Sequence, residues 1–401
     1  MERPYPSVNV TEKGERVLRN GHPWVYGDEV TILNGTPENG GIVDVYTKKG
    51  RWMGAGFYND HSKIRVRILS TNTNDRFGDA FWQRKLRWAV DYRRTVMGSD
   101  FKCCRLIFGE ADGFPGLTVD RFDRVLVAQV LCLGTDKIKD MLLNTLVEIL
   151  REYGEEIDVV YERNDVAIRE KEGLKQYKGY FLGNGDGHTK ITENGVIYDV
   201  DYINGQKTGF FLDQKYNRAT VAKLAPGMKI LDCFTHTGSF GLNCAKAGAN
   251  HVTSVDISES ALETARRNAD LNGLTNIDFL CADVFQLLTD LSNRGKSDYD
   301  MIILDPPAFT KSGSTVKSAI RGYKDINMRA MKILPRGGYL ATCSCSHFMT
   351  EELFVRMLQD AAKDAHVTLR QIEARQQSMD HPILWNVPET NYLKFYIFQV
   401  V

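Results

Sequence analysis

The sequence carries no excess of charge of either sign, no long hydrophobic run and no paired cysteine spacing. Its 51 Lys and Arg residues balance 51 Asp and Glu residues, so any nucleic-acid surface must come from a local concentration of cations. The N-terminal segment has no apolar core of signal-peptide length, and no run approaches a membrane span. The eight cysteines lack the spacing of a metal site, and we expect reduced thiols in a cytoplasmic protein.

A chain of 401 residues is long enough for two or three domains. Short β-prone runs separated by glycines predict a small β-rich module over residues 1–72. Residues 73–188 predict a central α+β domain that starts with a basic amphipathic helix, in which Phe81, Leu86 and Trp88-Ala89 would face a core. Its five cations, Arg93 among them, would face out. That helix fits either RNA contact or a solvated surface. A polar, glycine-rich joint leads into residues 189–401, where strands and helices alternate.

Residues 228–257 have the order of a nucleotide-binding βαβ unit. An apolar run through Asp232 and Phe234 predicts a buried parallel strand. A loop containing Gly238 follows, then a helical run, then a β-prone run that ends at Asp256. A glycine lets the backbone approach a ligand, and a terminal acid accepts ribose hydroxyls.

The same stretch lacks the G-x-G-x-x-G pattern that cradles a dinucleotide pyrophosphate. An anionic ligand beside Asp232 would be repelled, whereas a cationic sulfonium with an amino-acid tail would not. The pattern therefore favours S-adenosylmethionine over NAD. A plain core strand with an acidic end remains an alternative.

Acids recur at the predicted strand ends that follow. Beyond Asp232 and Asp256, the third and fourth predicted strands end in Asp283 and Asp305. Two late β-prone runs, residues 367–373 and 392–400, fit an antiparallel pair that closes the sheet. We predict an α/β fold with a Rossmann-like, mostly parallel sheet and a ligand site at the carboxyl ends of its strands.

The fourth and fifth strand ends indicate the chemistry. Asp305 is followed by two prolines, which aim a carboxylate rigidly, and such an acid can bind the edge of a flipped base. Cys343 and Cys345 offer a thiolate that could add to C6 of a pyrimidine and so activate C5 for methylation. Buried cysteines are often inert, and strand alternation puts both on the same side, so periodicity cannot choose between them.

Several phrases together resemble the bacterial large-subunit ribosomal RNA cytosine-C5 methyltransferases of the RlmI type, which carry an N-terminal RNA-binding PUA domain. They are GHPWVY, QKTGFFLDQKYNR, LDCFTHTGSF, VDIS, LDPPAF, SCSHFM and DHP…PET.YLK, and they span the whole length. The resemblance implies a PUA-like domain at 1–72, a central domain at 73–188 and a methyltransferase domain at 189–401. It also implies large-subunit ribosomal RNA as the partner, S-adenosylmethionine as the cofactor and a homodimer.

The resemblance assigns roles to individual residues. Asp256 would hold the ribose with Ile257 beside it, Asp283 and Val284 the adenine side, and Gly238 the loop apex. The rest of the cofactor pocket would comprise Lys207, Thr208, Phe210, Asp213, Asp232 and Phe234. The relatives' SCS phrase matches residues 344–346, so we predict Cys345 as the nucleophile, Cys343 as its reserve and Asp305 as the base-binding acid. The extra thiol at Cys343 and the bulky His347-Phe348 pair depart from the family pattern.

Three other functions remain open at this point. The enzyme could methylate a purine or an exocyclic amine, with Asp305 holding the amine. The chain could be a non-catalytic RNA-binding assembly factor with a vestigial donor pocket, which a failure to bind S-adenosylmethionine would indicate. An NAD enzyme is the most remote alternative, because the glycine pattern is missing.

Overall fold

The computed structural model describes residues 3–295, 297–310 and 312–401. Residues 1 and 2 of the first predicted domain, and 296 and 311 of the third, lie outside that description. The chain forms two compact units. The first comprises Met1–Ile191, Val200–Leu212 and Met379–Thr390, and the second comprises Thr192–Asp199, Asp213–Ser378 and Asn391–Val401. The first unit thus contains the first two predicted domains together with residues 189–191, 200–212 and 379–390 of the third.

A six-stranded sheet forms the N-terminal part of the first unit, in the order β2-β6-β5-β4-β1-β3. Its valines, including Val8, Val25, Val43 and Val66, are fully buried and form its core. The elements are β1 Ser7–Val10, α1 Glu12–Arg19, β2 Trp24–Tyr26, β3 Val30–Asn34, β4 Ile42–Thr47, β5 Trp52–Tyr58 and β6 Ile64–Ser70.

A five-stranded sheet, β11-β10-β9-β8-β7, forms the rest of the first unit. Only β9 and β10 run parallel, and helices α2 and α3 pack beside it. The elements are α2 Asp79–Met97, β7 Cys103–Phe108, β8 Leu117–Phe122, β9 Val125–Val130, α3 Leu133–Glu152, β10 Val159–Asn164 and β11 Tyr177–Leu182. A two-stranded sheet, β12 His188–Glu193 and β13 Val196–Asp201, follows in the chain.

Helix α2 corrects one sequence prediction. Trp88, expected to face a core, is 62% exposed, whereas Trp82 is buried and stacks on Phe57 with ring centroids 5.8 Å apart. Arg93, expected to face solvent, is fully buried. Its guanidinium donates to the Asp112 carboxylate at 2.6 Å, which supplies the counter-charge that a buried cation needs.

The second unit is built on a seven-stranded sheet in the order β16-β15-β14-β17-β18-β20-β19. The first five strands are parallel, and β20 runs antiparallel between β18 and β19, so the predicted fold class is confirmed. Its strands are β14 Lys229–Cys233, β15 His251–Asp256, β16 Ile277–Cys281, β17 Met301–Leu304, β18 Tyr339–Ser344, β19 Leu369–Arg375 and β20 Lys394–Val400. Its helices are α4 Lys215–Ala222, α5 Ser239–Lys246, α6 Glu259–Leu271, α7 Val284–Arg294, α8 Val316–Ile333 and α9 Glu351–Asp364.

Strand β17 is apolar and buried on both faces, since all four of its residues, Met301–Leu304, are sealed from solvent. Ile302 and Leu304 share one core cluster with the buried Tyr323 and Ile326 of α8. Such a core fixes the carboxyl ends of β14, β15, β17 and β18 at one edge, where their loops carry the candidate residues. In the described part of the chain, no helix is long and apolar enough to span a membrane.

Candidate active site

The loop after β14 has an unusual backbone. Phe234, His236 and Gly238 all have left-handed φ angles, of 64°, 51° and 85°. Glycine adopts this conformation freely, but a bulky Phe does so at a cost, and such strain is typical of functional sites. Gly241, in the first turn of α5, is needed for a different reason: the helix backbone there packs closely against β15. A Cβ at this position would lie 2.3 Å from Ser254 Oγ.

Asp232 is a fully buried strand residue beneath this loop. Its Oδ2 accepts hydrogen bonds from Thr235 Oγ1, from the Gly241 backbone N–H at 2.8 Å and from Ser254 Oγ. Its Oδ1 has no hydrogen-bond partner among the residues that the structure describes, and neither has the buried Oγ1 of Thr237. Burial raises the pKa of Asp232 to about 7.

The predicted ribose acid lies at the end of β15. The Asp256 carboxylate accepts from the backbone N–H groups of His236, at 2.9 Å, and Ser258, at 3.0 Å, so it is fixed beside the left-handed loop. Its neighbour Ile257 is 70% exposed, which leaves an apolar surface next to the carboxylate.

The predicted adenine-side pair lies past β16. Asp283 is exposed and caps α7 by accepting from the Gln286 N–H, so it belongs to a loop rather than to the strand end expected from the sequence. Val284 is buried at the first position of that helix.

The remaining predicted cofactor residues fall in different units. Lys207, Thr208 and Phe210 belong to the first unit, where Thr208 Oγ1 donates to the Asp120 carboxylate at 2.6 Å. Lys207 is exposed, whereas Phe210 is buried. Asp213 belongs to the second unit, is buried and accepts from the Tyr392 hydroxyl at 2.6 Å.

Asp305 and Cys343 are brought into contact at the ends of β17 and β18. The Cys343 thiol donates to Asp305 Oδ1 at 3.0 Å, and the Gln214 side-chain amide donates to both. Asn217 in turn donates to Gln214 Oε1 at 2.6 Å, which fixes the amide. Desolvation raises the pKa of Asp305 to about 6, and it raises the pKa of the buried Cys343 thiol well above its usual value.

Cys345 has a different environment from Cys343. Strand β18 ends at Ser344, so strand alternation does not extend to Cys345, which is half-buried, whereas Cys343 is 1% exposed. Both flanking serines are buried. Ser344 Oγ donates to the Tyr323 hydroxyl at 3.0 Å, and Ser346 Oγ donates to the Thr310 carbonyl at 2.8 Å. The backbone on each side of Cys345 is therefore fixed. The hydrogen bond from Ser346 to Thr310 also connects this segment to the loop that begins at Asp305.

Sequence reasoning missed four contributors to this site. Gln214 lies inside the quoted QKTGFFLDQKYNR phrase, but no sequence pattern predicts the two partners of a single amide side chain. Ser344 and Ser346 were quoted only as neighbours of Cys345. Lys394 stood in the quoted YLK phrase without a role, yet it pairs with Ser344 across β20 and β18.

These features fit an S-adenosylmethionine site. A buried carboxylate with one unpaired oxygen suits an ammonium group, and a fixed acid at the end of the second strand suits a ribose. Residues 177–397 match the family model described as S-adenosylmethionine-dependent methyltransferase, and residues 8–71 match that of a PUA-like domain. The fold and the site thus define an S-adenosylmethionine-dependent methyltransferase with a PUA-like module.

Curated relatives narrow the class. The chain is 40% identical over 399 residues to Ribosomal RNA large subunit methyltransferase I of Aliivibrio fischeri, covering 98% of this chain and 99% of the relative. It is 42% identical over 393 residues to the protein of that name from Photobacterium profundum, covering 97% and 98%. The chain belongs to the Ribosomal RNA large subunit methyltransferase I family.

Solved structures share the fold. A protein described as a SAM-dependent methyltransferase from Streptococcus mutans superposes with a TM-score of 0.82 at 21% identity, covering 98% of this chain and 100% of that one. A methyltransferase structure complexed with SAH gives a TM-score of 0.83, also at 21% identity, with the same coverage.

Proposed function

We propose that this enzyme methylates C5 of a cytosine in large-subunit ribosomal RNA through a covalent bond to Cys345. The observation that carries the proposal is the contrast between the two thiols. Cys343 is sealed in the core and its S–H donates a hydrogen bond to Asp305, whereas Cys345 is half-buried on a backbone fixed by two buried serines. A nucleophile needs access and a fixed position, and Cys345 has both.

Two side chains carry the chemistry on the base. The Cys345 thiolate forms a bond to C6, which increases the electron density at C5. Asp305, whose pKa lies near 6, is suited to bind the N3 and N4 edge, and Gln214 and Cys343 hold its carboxyl in place. When bound, S-adenosylmethionine supplies an electrophilic methyl group. Loss of the C5 proton and elimination of Cys345 then restore the free enzyme and the aromatic base.

The proposed cofactor site combines residues from the loops after three strands. Asp232 and Gly238 would border the amino-acid part, Asp256 with Ile257 the ribose, and Asp283 with Val284 the adenine. Phe234, Asp213, Lys207, Thr208 and Phe210 complete the proposed set. The unpaired Oδ1 of Asp232 is the feature of the described residues that most directly supports it.

RNA docking is proposed for the PUA-like part of the first unit and for helix α2. A surface cleft of about 550 Å³ lies between β6 and α2, lined by Ser70, Arg84, Lys85 and Trp88 among others. The Arg84 guanidinium lies 5.5 Å from the Trp88 ring centroid. Exposed aromatic rings beside cations are typical of surfaces that stack unpaired bases. A homodimer stays a prediction.

RNA containing 5-fluorocytosine tests the reaction. Fluorine at C5 blocks the final proton loss, so we expect the enzyme to accumulate as a covalent adduct that runs as a shifted band in a denaturing gel. Cys345→Ala should abolish the adduct, while Cys281→Ala, which alters an exposed cysteine, should retain it.

Two outcomes would redirect the proposal. An adduct that is lost in Cys343→Ala but retained in Cys345→Ala would reverse the assignment of the nucleophile. Methyl transfer without any adduct would indicate a purine or exocyclic-amine target. Mass mapping of ribosomal RNA from a strain that lacks the gene would identify the nucleotide.

A further inference from the structure

Lys394 lies directly beside the turn that carries Cys345. It is the first residue of β20 and pairs with Ser344, the last residue of β18. Its side chain is almost sealed, with 5% of the residue exposed. Its Nζ donates to the Ser346 carbonyl at 2.6 Å and to the Tyr392 carbonyl at 2.8 Å. An ammonium has three donors, so these two bonds leave one more for a neighbouring group.

A sealed ammonium requires a compensating anion. Burial lowers the pKa of Lys394 to about 8, and the groups that oppose this shift are, in order, Cys345, Glu351 and Cys343. Glu351 is exposed, and its carboxylate accepts from the Tyr396 hydroxyl at 2.6 Å. Cys343 is occupied as a donor to Asp305. Lys394 pairs with Ser344 and its Nζ donates to the Ser346 carbonyl, so it contacts the residues on both sides of Cys345, and the Cys345 thiol is the group best placed to carry the compensating charge.

We propose that Lys394 is a positioning residue that holds Cys345 as a thiolate before RNA binds. The Cys345 S–H bond breaks and the proton moves to Nζ, so an amine and a thiol become an ammonium and a thiolate with no outside acceptor. At the end of the cycle the C6–S bond breaks and Cys345 leaves as a thiolate, which restores the same ammonium–thiolate pair. What the thiolate then attacks rests on the proposed function.

The test is the pH dependence of Cys345 alkylation in the full-length protein without RNA. Iodoacetamide reacts with thiolates, and mass spectrometry of peptides resolves Cys345 from the other cysteines. Lys394→Met should raise the pH midpoint of Cys345 alkylation by about one unit, which below the midpoint is roughly a tenfold slower reaction. Lys394→Arg, which keeps a cation, should restore part of the rate. Lys332→Met removes an exposed cation from α8 and should change nothing.

The outcomes separate this inference from the proposed function. An unchanged midpoint in a folded Lys394→Met variant, as judged by its thermal unfolding, would overturn the role of Lys394. If that variant does not fold, a Cys345 midpoint of about 8.5 in the wild type, the value of an ordinary free cysteine, would overturn it as well. A low pH midpoint of Cys345 alkylation that depends on Lys394 would support the Lys394–Cys345 ion pair. If no 5-fluorocytosine adduct forms in the same protein, the ion pair is retained and the cytosine reaction is rejected.

Discussion

One carboxylate oxygen of Asp232 accepts three hydrogen bonds, and the other accepts none from the described residues. Burial determines the pKa of this carboxyl. Its pKa of about 7 in the folded protein lies above the value of about 4 in an unfolded chain. The folded state therefore binds the proton more tightly. The corresponding stability is fully present below pH 4 and is lost as the pH rises towards 7.

We expect Asp232→Asn to remove this contribution. The free energy of unfolding of the wild type relative to the variant should fall by about 1.4 kcal/mol for each unit of pKa difference as the pH rises between about 4 and 7. Urea unfolding at a series of pH values measures it. Asp283→Asn is the matched control, since Asp283 is exposed and Asn caps a helix equally well. Parallel curves for wild type and Asp232→Asn would contradict the burial effect.

Gly241 gives a second prediction for a single residue. An added methyl group would lie 2.3 Å from Ser254 Oγ and 2.9 Å from Asp232 Oδ2, both sealed in the core. Gly241→Ala should therefore destabilise the protein by roughly 1–3 kcal/mol, the range for overpacking, and weaken binding of S-adenosylmethionine in calorimetry. Gly313→Ala meets nothing within 4 Å and should change the free energy of unfolding by less than about 0.5 kcal/mol. Equal effects of the two substitutions would refute the close-approach argument.

The two tryptophans of helix α2 differ in burial, so their substitutions should differ in their effect on stability. Trp82 is stacked on Phe57 and 2% exposed, whereas Trp88 is 62% exposed. We expect Trp82→Ala to lower the free energy of unfolding by about 3–5 kcal/mol, the cost of removing a buried aromatic ring, and Trp88→Ala to lower it by less than about 0.5 kcal/mol. Denaturant unfolding of both variants decides the matter, and a larger loss at Trp88 would be inconsistent with the structure.

The helices and strands could be predicted well where the hydrophobic pattern was regular. The sequence pattern predicts strands at 229–234, 251–255 and 299–305 and helices near 317–333 and 350–363. The observed β14, β15, β17, α8 and α9 begin and end within about two residues of these positions, because buried strands alternate with amphipathic helices. The buried face of α2 could not be predicted in this way. Its buried residues recur at helical spacing but include Arg93, and a charged residue does not count towards a hydrophobic pattern. The difference between Cys343 and Cys345 depends on where β18 ends, which no local pattern marks.

The site was predictable in part for the same physical reason. Acids at strand ends follow from parallel topology, so Asp232, Asp256 and Asp305 could be placed from the order of elements. The hydrogen-bond partners of Asp305 could not be predicted, since Gln214 and Cys343 lie 91 and 38 residues away in the chain. Such contacts depend on tertiary packing.

At the scale of the whole molecule, the two units interleave along the chain. The first unit includes Val200–Leu212 and Met379–Thr390 and uses them internally. Within it, Arg105 N–H donates to the Asp380 carboxylate at 2.8 Å, and Arg163 donates to the Gly205 carbonyl at 2.8 Å. A cut in the chain at the predicted boundary after residue 188 would remove these partners from the first unit.

We therefore expect that fragment 1–188, produced separately, does not fold as a stable body. It lacks Val200–Leu212 and Met379–Thr390, so buried polar groups that bond to these segments lose their partners, at a cost of about 1–3 kcal/mol apiece. Circular dichroism during heating should show no cooperative transition for fragment 1–188, and a sharp one for the full chain. Cooperative melting of fragment 1–188 near the full-length Tm would show that the interleaved segments are dispensable.

The position of Met379–Thr390 also affects how the protein is made. Domains of nascent chains ordinarily fold in the order in which they leave the ribosome. Here the first unit lacks one of its segments until Met379–Thr390 has been synthesised, after most of the second unit, so its final assembly waits for that segment. The newly made polypeptide must remain partly open until then, and a chain that stops before residue 379 lacks a segment of each unit.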